Sequence, residues 1–204
     1  MTMKEMPAIE CEKLVLSMEL MGRRISITAK EIDLESAKRM ITDILKANNI
    51  FLMGAGRSGL VAKAFAMRLM QLGFSVFVVG ESTTPAVRED DVVIAISGSG
   101  ETRSISDLGR IAKEIGSCLV TVTSNSDSTL GKLSDTVMII PGRNRTDMGG
   151  YLERHMRGEY TQLSPLGTSF EVASLVFLDA MIAEMISITG ASEADLKSRH
   201  TILE

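Results

Sequence analysis

The chain has 204 residues, enough for one sizeable α/β domain or one domain with an appendage. Hydrophobic residues make up 45% of it, which supports a large core and argues against disorder. A net charge of -4, an aromatic content of only 4% and the lack of a long basic run argue against a nucleic-acid partner.

The two cysteines, Cys11 and Cys118, form neither a Cys-x-x-Cys motif nor a framework of pairs. This usage indicates a reducing compartment and hence a cytoplasmic protein. Residues 1–10 contain charges and no apolar segment of the kind found in a signal peptide, so we expect none.

Two amphipathic helices are predicted at the start of the chain. The first carries an apolar stripe at helical spacing, and its residues are Leu14, Met18, Met21 and Ile25. A second stripe runs from Met40 to Leu45, with Asp33 as a possible N-cap. We divide the chain into an N-terminal helix, residues 1–32, which packs on the domain or contacts another subunit, and a main domain, residues 33–204.

Five short apolar runs predict strands, at residues 50–53, 76–79, 92–96, 119–123 and 136–140. Their apolar residues are consecutive rather than alternating, which is typical of parallel strands covered on both faces. Helical segments are predicted between them at 58–72, 102–115 and 128–133. Strands that alternate with helices predict an α/β fold with a parallel sheet and right-handed crossovers.

The last third of the chain differs in composition. Glycine and proline interrupt residues 141–164, which predicts a long surface loop. A long helix is predicted at 166–188 and a short one at 192–199. Because Asp179 and Glu184 interrupt the apolar stretch of the long helix, we expect a buried helix and no membrane span.

The most informative motif is Ser97-Gly-Ser-Gly-Glu-Thr102, between the third strand and the next helix. A Gly/Ser loop at a helix N-terminus offers free N–H groups and the positive end of the helix dipole to a phosphate. Ser97, Ser99 and Thr102 add hydroxyl donors, while the Lys of a Walker A motif is missing. The loop therefore favours a small phosphate ester over a nucleotide triphosphate, and the alternative is a polar turn with an N-cap.

A second glycine motif, Gly54-Ala-Gly-Arg-Ser-Gly59, follows the first strand and matches Gly-x-Gly-x-x-Gly. On its own it would indicate a dinucleotide, as in an NAD-dependent dehydrogenase. Two features argue against the dinucleotide: a second phosphate-type loop follows the third strand, and the chain has no room for a separate substrate domain. They favour a turn in which Gly56, Arg57 and Ser58 bind a sugar phosphate.

Hydroxyl groups also follow the second strand, in Glu81-Ser-Thr-Thr-Pro85. Thr83 and Thr84 would face the usual ligand crevice at the carboxyl ends of parallel strands. A plain turn ended by Pro85 explains the same residues.

Metal chemistry has little support, because the only histidines are His155 and His200 and no ligand cluster has suitable spacing. A sugar isomerase without a metal must move a proton through an enediol, which needs a carboxylate or histidine base. Glu171 is the leading candidate, since it follows a Pro/Gly turn and opens an apolar helix. Its alternative role is electrostatic capping of that helix.

Together, several motifs resemble the 6-phospho-3-hexuloisomerases, which are sugar isomerase (SIS) domain enzymes. In chain order they are Gly54-Ala-Gly-Arg-Ser-Gly59, Ala66-Met-Arg-Leu-Met70, Gly80-Glu-Ser-Thr-Thr-Pro85, Ser97-Gly-Ser-Gly-Glu-Thr102, Pro165-Leu-Gly-Thr-Ser-Phe-Glu171 and Arg199-His200. The resemblance runs from about residue 33 to the C-terminus. It implies a flavodoxin-like three-layer α/β/α fold with a five-stranded parallel sheet, extended here by the N-terminal helices.

The resemblance also implies a function. Such enzymes interconvert 3-hexulose 6-phosphate and fructose 6-phosphate, use no metal or cofactor, and form tetramers with active sites at subunit boundaries. They act beside hexulose-phosphate synthase in formaldehyde fixation, or in reverse to make pentose phosphate.

Carried over by position, the phosphate would be held by Ser97, Ser99 and Thr102, with Ser58 helping to seat the sugar phosphate. Glu171 would be the base, and His200 would be a second acid/base from a neighbouring subunit.

Two other functions fit the same superfamily. One is another sugar-phosphate isomerase, acting on arabinose 5-phosphate or sedoheptulose 7-phosphate. The other is a non-catalytic sugar-phosphate sensor, but residues 1–32 are too short and insufficiently basic for the DNA-binding domain that such a regulator normally carries.

Overall fold

The computed structural model describes residues 11–142 and 168–200. The strands are β1 (Ile50–Gly54), β2 (Val76–Val78), β3 (Val92–Ile96), β4 (Cys118–Thr123) and β5 (Thr136–Ile139). The helices are α1 (Glu12–Glu31), α2 (Leu34–Lys46), α3 (Arg57–Leu72), α4 (Arg103–Ile115), α5 (Thr129–Leu133), α6 (Thr168–Thr189) and α7 (Glu193–Ser198). The loop predicted at 141–164 lies almost entirely outside the described residues.

The five strands form one parallel sheet in the order β2-β1-β3-β4-β5. This is the flavodoxin-like order, and it confirms the predicted fold. All five predicted strands are present with bounds that differ by at most one residue. Because β2 and β3 lie on opposite sides of β1, the order reverses between β1 and β3, and a ligand crevice is expected at their carboxyl ends.

Alternate side chains of the central strands face opposite helical layers. Leu52 and Ile94 lie in a cluster with buried residues of α2, α3 and α6. Phe51 and Val93 lie in a second cluster with buried residues of α4 and α5. Burial on both faces explains why these strands are apolar at consecutive positions.

The helix α6 packs its buried face against α3 and the sheet. By length and composition alone it could cross a membrane, with a mean hydropathy of 1.8, but a core helix passes the same test. Its face with Phe170, Ala173, Leu178 and Met185 is buried within the domain. Only 33% of its apolar window is buried, so the predicted burial holds for this face alone.

The helix α1 lies against α6 but leaves much of its apolar surface open. Leu14 and Met18, two members of the predicted stripe, are 57% and 63% exposed. Farther along, Ile25 lines an apolar groove of about 850 Å³ between α1, α2 and α6. Asp33 caps α2 as predicted, since its side chain accepts a hydrogen bond from the Glu35 N–H.

Candidate functional site

The candidate site lies at the carboxyl ends of β1 and β3. These strands are adjacent and parallel, with Gly54 paired to Ile96. The turn that opens α3 therefore starts beside the loop that opens α4. This pairing brings the two glycine motifs together at the point where the strand order reverses, as predicted for a ligand site.

The Ser97–Thr102 loop carries three hydroxyl groups that donate no hydrogen bond to any described residue. Ser97 is 3% exposed, and its Oγ has no hydrogen-bond partner among the described residues. Ser99 Oγ accepts a hydrogen bond from the Glu101 N–H at 3.2 Å, which leaves its proton available. Thr102 is the N-cap of α4, yet its side chain makes no capping bond. Since buried polar groups are almost always paired, the orphaned Ser97 hydroxyl points to a ligand.

The loop conformation depends on Gly100. Its φ is +65°, and a methyl group there would lie 2.5 Å from Ser128 Cβ. Ser128 is fixed in turn, because its Oγ donates to the Asn125 carbonyl and accepts from the Gly131 N–H at the start of α5. A side chain at position 100 would therefore displace the loop.

We predict that Gly100→Ala lowers stability more than Gly80→Ala does. Gly80 also has a positive φ, +96°, but nothing lies within 4 Å of an added methyl group. Backbone strain costs about 1–2 kcal/mol at either position, and overpacking adds about 1–3 kcal/mol at Gly100 alone. Chemical denaturation checks this, and equal losses for the two variants would contradict the packing argument.

The turn after β1 also requires glycine, because its backbone segments lie very close to each other. A methyl group at Gly54 would lie 2.8 Å from the Ser58 carbonyl oxygen, and Gly56 has a φ of +56°. Ser58 is buried in the first turn of α3, whereas Arg57 is exposed. The turn thus presents the α3 N-terminus and the Arg57 guanidinium at the edge shared with the Ser97–Thr102 loop.

Glu171 joins this site from the first turn of α6. Its side chain is 14% exposed, and Oε2 lies 3.7 Å from Arg57 Nε. That separation is an ion pair without a hydrogen bond, and Oε2 has no hydrogen-bond partner among the described residues. A largely buried carboxylate oxygen with open acceptor positions is suited to taking a proton from a ligand.

Phe170 connects the candidate base, Glu171, to the Ser97–Thr102 loop, and no motif in the sequence indicates this contact. A methyl group at Gly98 would lie 2.9 Å from Phe170 Cδ1, so the ring packs directly on the loop. Phe170 is buried, and Glu171 is the next residue on α6. The only sequence signal is an aromatic residue beside the predicted base in a Gly-Thr-Ser-Phe-Glu run.

The residues after β2 form a turn in which the fold uses one of the two threonine hydroxyls. Thr84 Oγ1 donates to the Val78 carbonyl at 2.6 Å, so this hydroxyl fixes the end of β2. Thr83 is exposed. Glu81 pairs with Lys63 at 2.6 Å, and a hydrogen bond and the charge of Lys63 lower the pKa of Glu81.

His200 lies far from the phosphate loop of its own chain. The neighbouring Arg199 donates to the Gln71 carbonyl at 3.2 Å and contacts Gly73, just past the end of α3. The 16 residues of α3 separate that end from the turn at Arg57 by about 24 Å. His155 lies outside the described residues, among which no three metal-ligating side chains come together.

Comparison with known proteins assigns the family. Residues 43–156, more than half of the chain, match the SIS domain. A protein of Archaeoglobus fulgidus without an assigned function is 46% identical over 92% of this chain and 98% of its own. The 3-hexulose-6-phosphate isomerase of Bacillus subtilis is 37% identical over 87% of this chain and 91% of its own.

A solved structure agrees with these relatives. The Methanococcus jannaschii protein whose crystal structure was interpreted as a 3-hexulose-6-phosphate isomerase superposes with a TM-score of 0.76. It is 32% identical and covers 92% of this chain and 98% of its own. The chain therefore belongs to the SIS-domain family and is a sugar-phosphate isomerase related to the 3-hexulose-6-phosphate isomerases.

Proposed function

We propose that the chain interconverts 3-hexulose 6-phosphate and fructose 6-phosphate by metal-free proton transfer through a cis-enediol. The observation that carries this proposal is a pair of buried oxygens, Ser97 Oγ and Glu171 Oε2, that have no hydrogen-bond partner among the described residues. Glu171 lies beside Arg57 of the turn after β1, and Ser97 lies in the loop after β3, which ends at the same edge of the sheet. The Ser97 hydroxyl can donate to an anion, and the Glu171 carboxylate can accept a proton. Relatives named for this reaction match most of the chain.

The reaction moves one proton between neighbouring carbons. Glu171 takes the proton from C2 of 3-hexulose 6-phosphate, the electron pair forms the C2=C3 bond, and the C3 carbonyl oxygen gains a proton. Glu171 then returns a proton to C3 while the C2 hydroxyl loses its own and becomes the carbonyl of fructose 6-phosphate. A general acid and base must serve the two oxygens.

The remaining site residues bind the substrate. Ser97, Ser99 and Thr102 hold the phosphate with hydroxyl groups, assisted by the N-terminus of α4. Gly56 and Ser58 form the opposite wall, where the α3 N-terminus also favours an anion. We assign Arg57 two roles. Its guanidinium forms an ion pair with Glu171, and it contributes to substrate binding at the entrance of this wall.

Thr83 is a further candidate contact to the sugar, and Thr84 a weaker one because its hydroxyl is already donated to Val78. Both stand on the turn after β2, next to β1 in the sheet.

We assign His200 to a neighbouring subunit's site, since about 24 Å of α3 separates it from its own. This assignment requires an oligomer, and we propose a homotetramer. The open apolar surface of α1 and the groove beside it support the association of chains.

The oligomer is directly testable. We expect the 22.1 kDa chain to scatter light as a species several times that mass. A monomer that persists across concentrations would contradict the oligomer and leave His200 without a site to complete.

The domain division follows from the same reasoning. We propose that residues 1–32 provide oligomer contacts and that residues 33–204 form the SIS domain. The protein would act in the cytoplasm of a cell that fixes formaldehyde or makes pentose phosphates by the ribulose monophosphate pathway, coupled to hexulose-phosphate synthase.

A turnover assay tests the proposed substrate. We expect rapid conversion of 3-hexulose 6-phosphate, with arabinose 5-phosphate as the control that should react slowly or not at all. Efficient turnover of arabinose 5-phosphate alone would overturn the substrate while keeping the enzyme class.

Chelators should leave this activity intact, because the enediol route uses protein acids and bases. Turnover measured before and after treatment with EDTA checks the expectation. Loss of activity with EDTA and its recovery on adding a divalent ion would contradict the metal-free mechanism.

A further inference from the structure

Three hydrogen-bond donors from the end of β4 converge on one carbonyl oxygen of the phosphate loop, that of Gly98. Ser124 Oγ donates to it at 2.6 Å, and the Ser124 N–H donates to it at 3.0 Å. Thr123 Oγ1 donates to it at 3.3 Å while accepting from the Asn125 N–H. A loop carbonyl needs one such donor to be satisfied, so three require an explanation.

These hydrogen bonds also affect the N–H group of the same peptide unit, which belongs to Ser99. The Gly98 carbonyl points toward β4, and in a trans peptide the N–H of the next residue, Ser99, points the opposite way. This N–H therefore points away from β4, and β1 lies on that side of β3 in the sheet. Among the described residues no acceptor is found for it.

Hydrogen bonds that share a peptide group strengthen one another, because a donor at the carbonyl oxygen withdraws electron density and makes the N–H more positive. We propose that Ser124 and Thr123 are positioning residues that polarise the Gly98–Ser99 peptide, so that the Ser99 N–H binds the substrate phosphate more strongly. This inference rests on the proposed function, which places a phosphate at this loop. Ser124 contributes a hydroxyl from an exposed position and can be changed without opening the core.

The test uses inorganic phosphate as the probe and the full-length protein. Ser124→Ala removes the strongest donor, and Ser124→Thr keeps the hydroxyl group. Ser126→Ala is the matched control, because Ser126 is an exposed serine of the same loop without a bond to Gly98. Calorimetry measures the phosphate Kd, and backbone NMR follows the Ser99 amide.

We expect Ser124→Ala to raise the phosphate Kd about two- to fivefold. The unfolding midpoint should fall only slightly, because the Gly98 carbonyl keeps its bonds from the Ser124 N–H and Thr123 Oγ1. The KM for the sugar phosphate should rise equally and kcat should stay the same. The Ser99 amide should shift in the free protein and respond less to phosphate, whereas Ser124→Thr and Ser126→Ala should resemble the wild type.

Unchanged phosphate affinity in Ser124→Ala would overturn the inference and leave the proposed function intact. Equal losses of phosphate affinity in Ser124→Ala and Ser126→Ala would overturn it too. The loss would then come from removing any polar side chain of this loop. A wild-type Ser99 amide that ignores phosphate would overturn both the inference and the assignment of the phosphate site.

Discussion

Glu171→Gln is expected to lower kcat by about 10²–10⁴-fold, the usual contribution of a positioned general base. The substitution keeps the shape of the side chain and removes its ability to take a proton. The atom that would act is Oε2, which is buried and has no hydrogen-bond partner among the described residues. KM should change little, because the proposed phosphate site is on a different loop. Steady-state kinetics with 3-hexulose 6-phosphate measures both values.

Glu114→Gln is the control for a lost carboxylate, since Glu114 is an exposed glutamate of α4 that does not line the groove between α1, α2 and α6. We expect wild-type kcat from this control. Near-normal kcat in Glu171→Gln would show that another group removes the carbon-bound proton, with His200 of a neighbouring subunit as the next candidate.

The double substitution Ser97→Ala with Ser99→Ala is expected to weaken sugar-phosphate binding by about 10²-fold or more. Each charge-assisted hydrogen bond from a hydroxyl group contributes about 1.5–3 kcal/mol, and two are removed. Calorimetry with fructose 6-phosphate measures the change, and inorganic phosphate should compete with it in the wild type.

Folding should be preserved in this variant, because Ser97 Oγ has no partner among the described residues and the loss of Ser99 Oγ removes one exposed bond, from the Glu101 N–H. Ser97→Ala alone should leave the unfolding midpoint unchanged or slightly raised. Ser126→Ala again serves as the control for a lost serine hydroxyl. Undiminished affinity for fructose 6-phosphate in the double variant would be incompatible with a phosphate site at this loop.

The sequence was sufficient to predict the five strands and the edge of the sheet where the two glycine motifs meet. Parallel strands buried on both faces must be apolar throughout, so runs such as 92–96 define the strands closely. Each glycine motif directly follows a strand, and parallel strands end at a common edge. The meeting of the Ser58 turn with the Ser97 loop therefore follows from strand order alone.

Contacts between distant segments could not be predicted in this way. The approach of Arg57 to Glu171 depends on how α6 packs beside α3, and no local pattern encodes that packing. The same holds for Phe170 against Gly98, and for Thr123 and Ser124 against the Gly98 carbonyl. In each of these contacts, the local sequence around one residue does not indicate which residue it will contact.

The sequence alone does not decide the role of the hydroxyls after β2 or of the apolar stripe on α1, and the packing decides each of them in part. The hydroxyls after β2 suited either a ligand or a turn, and the Thr84 bond to Val78 now explains one of them as turn structure. The apolar stripe of α1 suited either the domain or a partner. Its later part lines the groove beside α6, while Leu14 and Met18 remain exposed.

Deuterium incorporation into fructose 6-phosphate tests the central claim most directly. The wild-type protein is incubated with fructose 6-phosphate in D₂O, and NMR locates the exchanged positions. A carboxylate that moves a proton between C2 and C3 should introduce deuterium at C3, and Glu171→Gln should slow this exchange in parallel with kcat. Deuterium at C1 would indicate an aldose–ketose isomerase, and wild-type exchange at C3 in Glu171→Gln would contradict proton transfer by Glu171.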